Sequence, residues 1–350
     1  MKRLDNIVIM RVFAIITVVM GHSMIIFSDS WNYYQLSNSS QFFNYFKIII
    51  NIYQMPIFFF VSGYLFYYLK VELGKYESKK KFLNNKFKRL VIPYFFVAIF
   101  YMVPLRILGS YPNYINKSFF EIILRDIILG ADSGNLWFLP VLFLIFFFFR
   151  YIFFSEKLEF MREKYYLWLI IFLICANISV LVPNVLFVKN FLQYLIYFFL
   201  GYSFKEVIMP SKITFSRKGL IILLAIGSMS FFQQVFFVKG NSIYLAALRF
   251  NVNVLSAIAS CILIYIISDK IILKDTSIAN NVILKKIDED SFGIYLFHSP
   301  LLYPILNQLN GKYINPFILV PLLFIFILLS SWGITLLLSS NEYTKFIVGK

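Results

Sequence analysis

The sequence predicts an all-α, polytopic membrane helical bundle of about ten transmembrane helices, with both termini in the cytoplasm. Three observations carry that expectation. Of 350 residues, 60% are hydrophobic and only 14% are charged, with mean hydropathy +0.76, against roughly 45–50% apolar and about 25% charged in soluble domains. The same figures exclude a disordered chain. The apolar runs are unbroken, as from Val141 to Phe149, whereas a β-barrel alternates apolar and polar residues in segments of about ten. Finally, Lys and Arg are spread unevenly between the loops.

At about 20 residues per crossing, the runs bounded by charges, Gly and Pro fall at 7–27, 46–69, 90–108, 136–154, 165–181, 190–205, 219–238, 245–268, 292–309 and 317–338. The sixth is short, and Pro300 and Pro304 interrupt the ninth. No internal repeat or soluble domain stands apart, so 1–350 reads as one integral membrane domain. No small-residue cleavage site follows the first run, which therefore reads as a retained span. Cys175 and Cys261 sit inside apolar runs without metal-ligand spacing, so neither a disulfide framework nor a metal site is expected.

Lys plus Arg number 33 against 17 Asp plus Glu, a net charge of +16. In a soluble protein that excess would raise nucleic acid as a partner; here loop charge bias explains it, and no nucleic acid is expected. With the N-terminus inside, about 23 of the 33 fall on the cytoplasmic side, from Lys2 and Arg3 through the run Lys70 to Arg89 to Lys345 and Lys350. The largest outer connection, Gly109 to Asn135, has room for a short interfacial helix. Another, Ser28 to Tyr45, is rich in Ser, Asn, Gln and Tyr: partners for sugar hydroxyls, or an ordinary polar loop.

The first span carries both Arg11 and His22. Eleven helical steps bring the second within about 20° of the first, at a rise of about 16 Å, so both face one neighbour or cavity. Ionisable groups inside a span are costly and mostly functional, although Arg11 alone can be read as snorkelling to the interface. The other histidine, His298, is a partner to His22 or a helix-packing residue. Histidine is readily poised to move a proton near neutral pH, which makes His22 the leading base. No nucleophile elbow, zinc-binding cluster, Walker loop or dinucleotide fingerprint is present. Carboxylates fall in loops and at span ends, which counts against an ion-driven carrier. Lys86 and Arg89, three apart at the mouth of the third span, share a helix face. Loop charge bias accounts for them, or they grip the phosphates of a cytosolic donor.

These residues resemble the acyltransferase 3 family of integral membrane O-acyltransferases, which includes fucose 4-O-acetylase-like members. The likeness lies in Arg11, ten residues, then His22 within Gly21-His22-Ser23, followed by Met55-Pro-Ile-Phe-Phe-Phe-Val-Ser-Gly-Tyr64. It continues through the basic approach to Ile92-Pro93, Asn135-Leu-Trp-Phe-Leu-Pro140, Phe198-Phe-Leu-Gly-Tyr202 and Gly293-Ile-Tyr-Leu-Phe-His-Ser-Pro300. The resemblance implies about ten spans in the plasma (inner) membrane, an acyl-coenzyme A donor taken from the cytoplasm, and an acceptor hydroxyl at or across the membrane. Carried over, Arg11 and His22 form the central pair, with Lys86 and Arg89 the donor-side basic pair. Family members usually have arginine at both positions of that basic motif; Lys86 departs from this, and lysine holds phosphate only as a point charge.

The expected activity is transfer of an acetyl or other short acyl group from acetyl-coenzyme A to a cell-surface polysaccharide or its lipid-linked precursor, with no permanently bound cofactor. His22 serves as base, Arg11 and His298 assist, and direct transfer or an acyl-enzyme both remain open. Ser62, Tyr64, Asn135 and Trp137 line the acceptor or thioester path, with aromatic packing the alternative for Tyr64 and Trp137. The rival readings are a lipid-linked glycan transporter and a non-catalytic membrane partner in polysaccharide export.

Overall fold

The computed structural model describes residues 4–29, 31–208, 216–236, 242–275 and 277–350. Lys2, Arg3 and Lys212 of the basic set, and residues 237–238 of the seventh expected span, lie outside them. The described residues are helical or irregular, with no strand among them. We number the main helices α1 (Asp5–Ser23), α2 (Gln41–Glu72), α3 (Lys79–Leu108), α4 (Gly134–Phe153), α5 (Tyr165–Leu181), α6 (Val188–Ser203), α7 (Arg217–Phe236), α8 (Ile243–Lys274), α9 (Val282–Phe297), α10 (Leu302–Leu309) and α11 (Pro316–Ser339).

Nine of the expected spans each overlap one of these, the ninth in sequence overlaps two, and not all cross in the same way. Seven (α1, α2, α3, α4, α7, α8 and α11) are long and apolar enough to cross a bilayer alone. An eighth is α5 taken with Glu156–Arg162, a pair bent by 106°. The helix α6 has 16 residues, short of the roughly 20 a crossing needs. The ninth span is broken into α9 and α10. Pro300 lacks an N–H and disfavours helix at the residue before it, so the chain turns over Ser299–Leu301 before α10 begins. The interfacial helix expected in 109–135 is a short helical stretch, Phe119–Glu121 running into a wide turn over Ile122–Ile128.

Helix starts follow local chemistry. Ser78 Oγ accepts from the Lys81 N–H at the head of α3 (3.3 Å), and Asn281 Oδ1 accepts from the N–H groups of Ile283 and Leu284 at the head of α9 (2.9 and 3.1 Å). Both satisfy donors that a helix N-terminus leaves open.

Two glycines fix the scaffold around the site. A Cβ on Gly63 of α2 would stand 1.9 Å from the Phe198 carbonyl oxygen, and one on Gly201 of α6 would stand 1.8 Å from that of Phe60. The two backbones therefore touch, as small residues allow between membrane helices. This gives a packing reason for the glycines in Ser62-Gly63-Tyr64 and Phe198-Phe-Leu-Gly201-Tyr202. Gly293 of α9 instead makes room for a side chain, since a Cβ there would stand 2.3 Å from Thr335 Cγ2 of α11.

Candidate active site

Two cavities open along the face of α1 that carries Arg11 and His22. The first, ≈350 Å³, is lined by Arg11, Ser62, Lys86, Arg89, Asp288 and the C-terminal Val348–Lys350, among others. The second, ≈240 Å³, is lined by His22, Trp31, Lys47, Gln54, Arg106, Asn135, Trp137 and Tyr295, among others. The fold thus brings Arg11, Lys86, Arg89 and Ser62 to one cavity, and His22, Asn135 and Trp137 to the other. The N-terminal half of α1 and the C-terminal tail share one end of the bundle, since Arg89 binds Gly349 and Arg11 binds Asp288.

Between the cavities lies a layer of three rings. Phe58 and Phe138 have centroids 5.8 Å apart, Phe138 and Tyr295 5.5 Å, and Phe58 and Tyr295 6.0 Å. Each sits on a helix that lines the first cavity on one side of the ring and the second on the other. On α2, Ser62 and Met55 flank Phe58; on α4, Leu142 and Asn135 flank Phe138; on α9, Phe292 and Ser299 (just past its end) flank Tyr295. Asn135 pins this layer, because its amide donates to the Tyr295 carbonyl (3.0 Å) and the Tyr295 hydroxyl donates to the Asn135 carbonyl.

In the first cavity the basic groups are already engaged. Arg11 Nη2 donates to Asp288 Oδ2 at 2.7 Å, with Asp288 only 6% exposed at its side chain. The arginine thus neutralises a buried carboxylate. Arg89 is exposed and donates through Nε and Nη2 to the Gly349 carbonyl (2.9 and 2.7 Å). Lys86 lies 3.9 Å over the Phe146 ring centroid, a cation–π contact. Close by, Asp290 accepts from Lys350 Nζ (2.6 Å) and Trp332 Nε1 (2.9 Å). Burial pushes the Asp290 carboxyl up, but the hydrogen bonds from Lys350 and Trp332 and the charges of Lys350 and Lys286 outweigh it, leaving the group below the usual carboxylate range.

In the second cavity the two histidines meet. His22 Nδ1 lies 2.9 Å from the Val18 carbonyl, and His298 Nδ1 lies 2.8 Å from that of Tyr295. A carbonyl only accepts, so both Nδ1 atoms carry hydrogen. His298 Nε2 is then an acceptor, 3.3 Å from His22 Nδ1, which fixes the His22 tautomer and leaves its Nε2 as the basic nitrogen. His298, 0% exposed, packs edge-on against the His22 ring with centroids 4.8 Å apart.

Tyr64 lines neither cavity. Its ring is buried against Tyr265 of α8 (5.9 Å) and under Lys205, because on α2 it points away from Ser62 by two residues, about 200°. Trp137 lines the second cavity while stacking on Phe59 and Tyr194, so it is wall and core at once.

Several further residues are brought to the site by the fold. Lys47 and Arg106 are charged residues inside helices α2 and α3, the signal that singled out Arg11. Arg106 is 1% exposed and paired with Asp132 (3.2 Å), and it donates to the hydroxyls of Tyr114 and Tyr303. Asp288 and Asp290 read as belonging to a span end, yet both are buried. Cys175 and Cys261 are free thiols, and no group of three or more His, Cys, Asp or Glu could hold a metal among the described residues.

Against known proteins, residues 4–336 match the acyltransferase domain of the acyltransferase 3 family. The chain is 23% identical over 318 residues to a probable poly-beta-1,6-N-acetyl-D-glucosamine export protein of Staphylococcus aureus strain Mu50, covering 86% of this chain and 83% of that one. The protein of the same name from strain MRSA252 is 22% identical over the same shares. No solved structure matches the chain. With the family's domain extending over nearly its whole length, this multi-pass membrane protein belongs to the acyltransferase 3 family.

Proposed function

We propose that the protein moves an acetyl or other short acyl group from cytosolic acyl-coenzyme A to a hydroxyl of a cell-surface polysaccharide or its lipid-linked precursor, within the plasma (inner) membrane. The observation that carries this reading is the two-cavity arrangement. A basic cavity suited to a phosphorylated donor and a histidine-lined cavity suited to a hydroxyl acceptor lie on one face of α1. With the basic loop Lys79–Arg89 and both termini inside, in line with the loop charge bias, the first cavity faces the cytoplasm.

Arg89, Lys86 and Arg11 hold the donor's phosphates, and Ser62 lies on the path of its extended arm. The thioester passes the Phe58–Phe138–Tyr295 layer toward His22, about 16 Å from Arg11 along the helix. His22 Nε2 takes the proton of the acceptor hydroxyl as its oxygen attacks the thioester carbonyl. The C–S bond then breaks, an ester remains on the sugar, and the departing sulfur takes the proton back from the imidazolium. Asn135 and Trp137 shape the acceptor side.

The relatives' name favours a second reading, polysaccharide export without acyl transfer. Purified protein in detergent, given labelled acetyl-coenzyme A and glycan oligomers, separates the two. Acyl transfer that falls about 10²–10⁴-fold in His22→Ala, with donor binding and melting temperature retained, supports the enzyme. A folded His22→Ala protein that transfers at the parent rate overturns the assignment of the base. Absence of transfer, with glycan translocated across proteoliposomes, favours export.

A further inference from the structure

The histidine-lined cavity contains polar groups that the protein itself leaves unmatched. Lys47 is 5% exposed and lines the cavity, yet its ammonium has no hydrogen-bond or ion-pair partner among the described residues. Gln54 Oε1 and Trp31 Nε1 are buried without a hydrogen-bond partner, and both residues line the same cavity. Two of these groups converge. Lys47 Nζ and Gln54 Oε1 lie 3.2 and 3.1 Å from the point where a Cβ on Gly21 would stand, one residue before His22. Gly21 keeps that space open.

The carboxylate in this cavity, Asp132, is taken by Arg106 at 3.2 Å and by the Tyr111 hydroxyl at 2.9 Å. Burying an ammonium without a counter-charge is costly, and so is burying a lone amide oxygen or indole N–H without its partner. A bound molecule that supplies a negative charge, a hydroxyl donor and an acceptor oxygen removes all three costs together. Trp31 and Trp137 add flat apolar walls of the kind that orient a ligand beside a few placed polar groups.

We propose that this cavity binds an acidic sugar unit, its negative charge at Lys47, one hydroxyl donating to Gln54 Oε1 and one oxygen accepting from Trp31 Nε1. The proposal rests on the acyl-transfer reading only in naming the acceptor's chemistry; the binding itself is independent of turnover. A carboxylate and a phosphate on the sugar offer Lys47 the same charge.

The test is binding of methyl glucuronide, glucose 6-phosphate and methyl glucoside to the full chain in detergent, at low and high salt. The parent should bind at least one acidic sugar about tenfold or more tighter than the neutral one, and whichever acidic sugar binds tighter identifies the charged group. Lys47→Met should erase the preference while keeping the parent melting temperature or raising it, since an unpaired buried charge gives way to an apolar side chain. Arg89→Ala, in the other cavity, should leave the preference intact. Equal affinity for all three sugars in the parent, or a preference that survives Lys47→Met, overturns the proposal. A Lys47-dependent preference in a protein that transfers no acyl group would sink acyl transfer and leave the acidic-sugar site standing. Undiminished transfer by Lys47→Met to an acidic sugar would do the reverse.

Discussion

The two cavities share α1, α2, α4 and the α9 segment, yet Arg11 in the first and Lys47 in the second are treated in opposite ways. In the first, Arg11, Arg89 and Lys350 each contact an oxygen of the protein, from Asp288, the Gly349 carbonyl and Asp290. In the second, Lys47, Gln54 Oε1 and Trp31 Nε1 have no such contact among the described residues. A ligand in the first cavity must therefore exchange contacts at Arg11, Arg89 and Lys350. The second holds groups whose partners arrive with the ligand. The difference teaches where affinity and where stability reside: a change at Arg11 should act on folding as well as binding, and a change at Lys47 chiefly on ligands.

The largest expected effect is the loss of turnover in His22→Ala. Set beside His298→Ala, it sharpens the comparison. If His298 acts by orienting the ring, its removal lowers kcat less than removal of His22 and leaves donor affinity unchanged. Equal losses in the two variants would make the histidines one chemical unit.

Arg11→Ala should be the most damaging change to the fold, because it strips the arginine from a carboxylate that is 6% exposed. Breaking a fully buried pair costs about 3–5 kcal/mol, and the loss here should be smaller because Arg11 is 35% exposed. Thermal unfolding of Arg11→Ala and of Arg11→Ala/Asp288→Asn checks it: the second substitution should restore part of the lost stability. A stable single variant would break the contrast between the cavities.

A smaller effect follows for Arg89→Ala, whose side chain is exposed. Coenzyme A affinity should fall by roughly 1.5–3 kcal/mol, the worth of a charge-assisted contact, with little change in melting temperature. Unchanged affinity would leave the arginine as an anchor for Gly349 alone.

The smallest concerns pH. Asp290 is held below the usual carboxylate range by Lys350, Trp332 and Lys286 against the opposing effect of burial. A depressed carboxyl adds stability that is fully present above its unfolded value, near 3.9, and that is lost as pH falls through the folded value. Unfolding followed from pH 6 to pH 3 should show an acid loss that is shallower in Asp290→Asn.

Much of this was legible in the chain because membrane physics writes itself locally. A span is about 20 apolar residues wherever it occurs, so the ten segments could be placed from composition. An arginine or histidine inside such a run stands out against its neighbours. The 11-residue spacing put Arg11 and His22 on one helix face by arithmetic. The same rule, applied to Lys47 and Arg106, would have found two further site residues.

Helix type, the span positions, the shared face of Arg11 and His22 and the family resemblance were thus determined by the sequence alone, since each depends on residues near one another in the chain. Tertiary structure decided what depends on residues far apart. It joined His298 to His22 across 276 positions and gave Arg11 the carboxylate of Asp288. It also turned Tyr64 toward α8 while Ser62, two residues earlier, faced the first cavity. Above all it separated charges the protein neutralises from charges it leaves for a ligand. That distinction belongs to the space between helices, where a buried charge without a partner costs more than any local preference can signal.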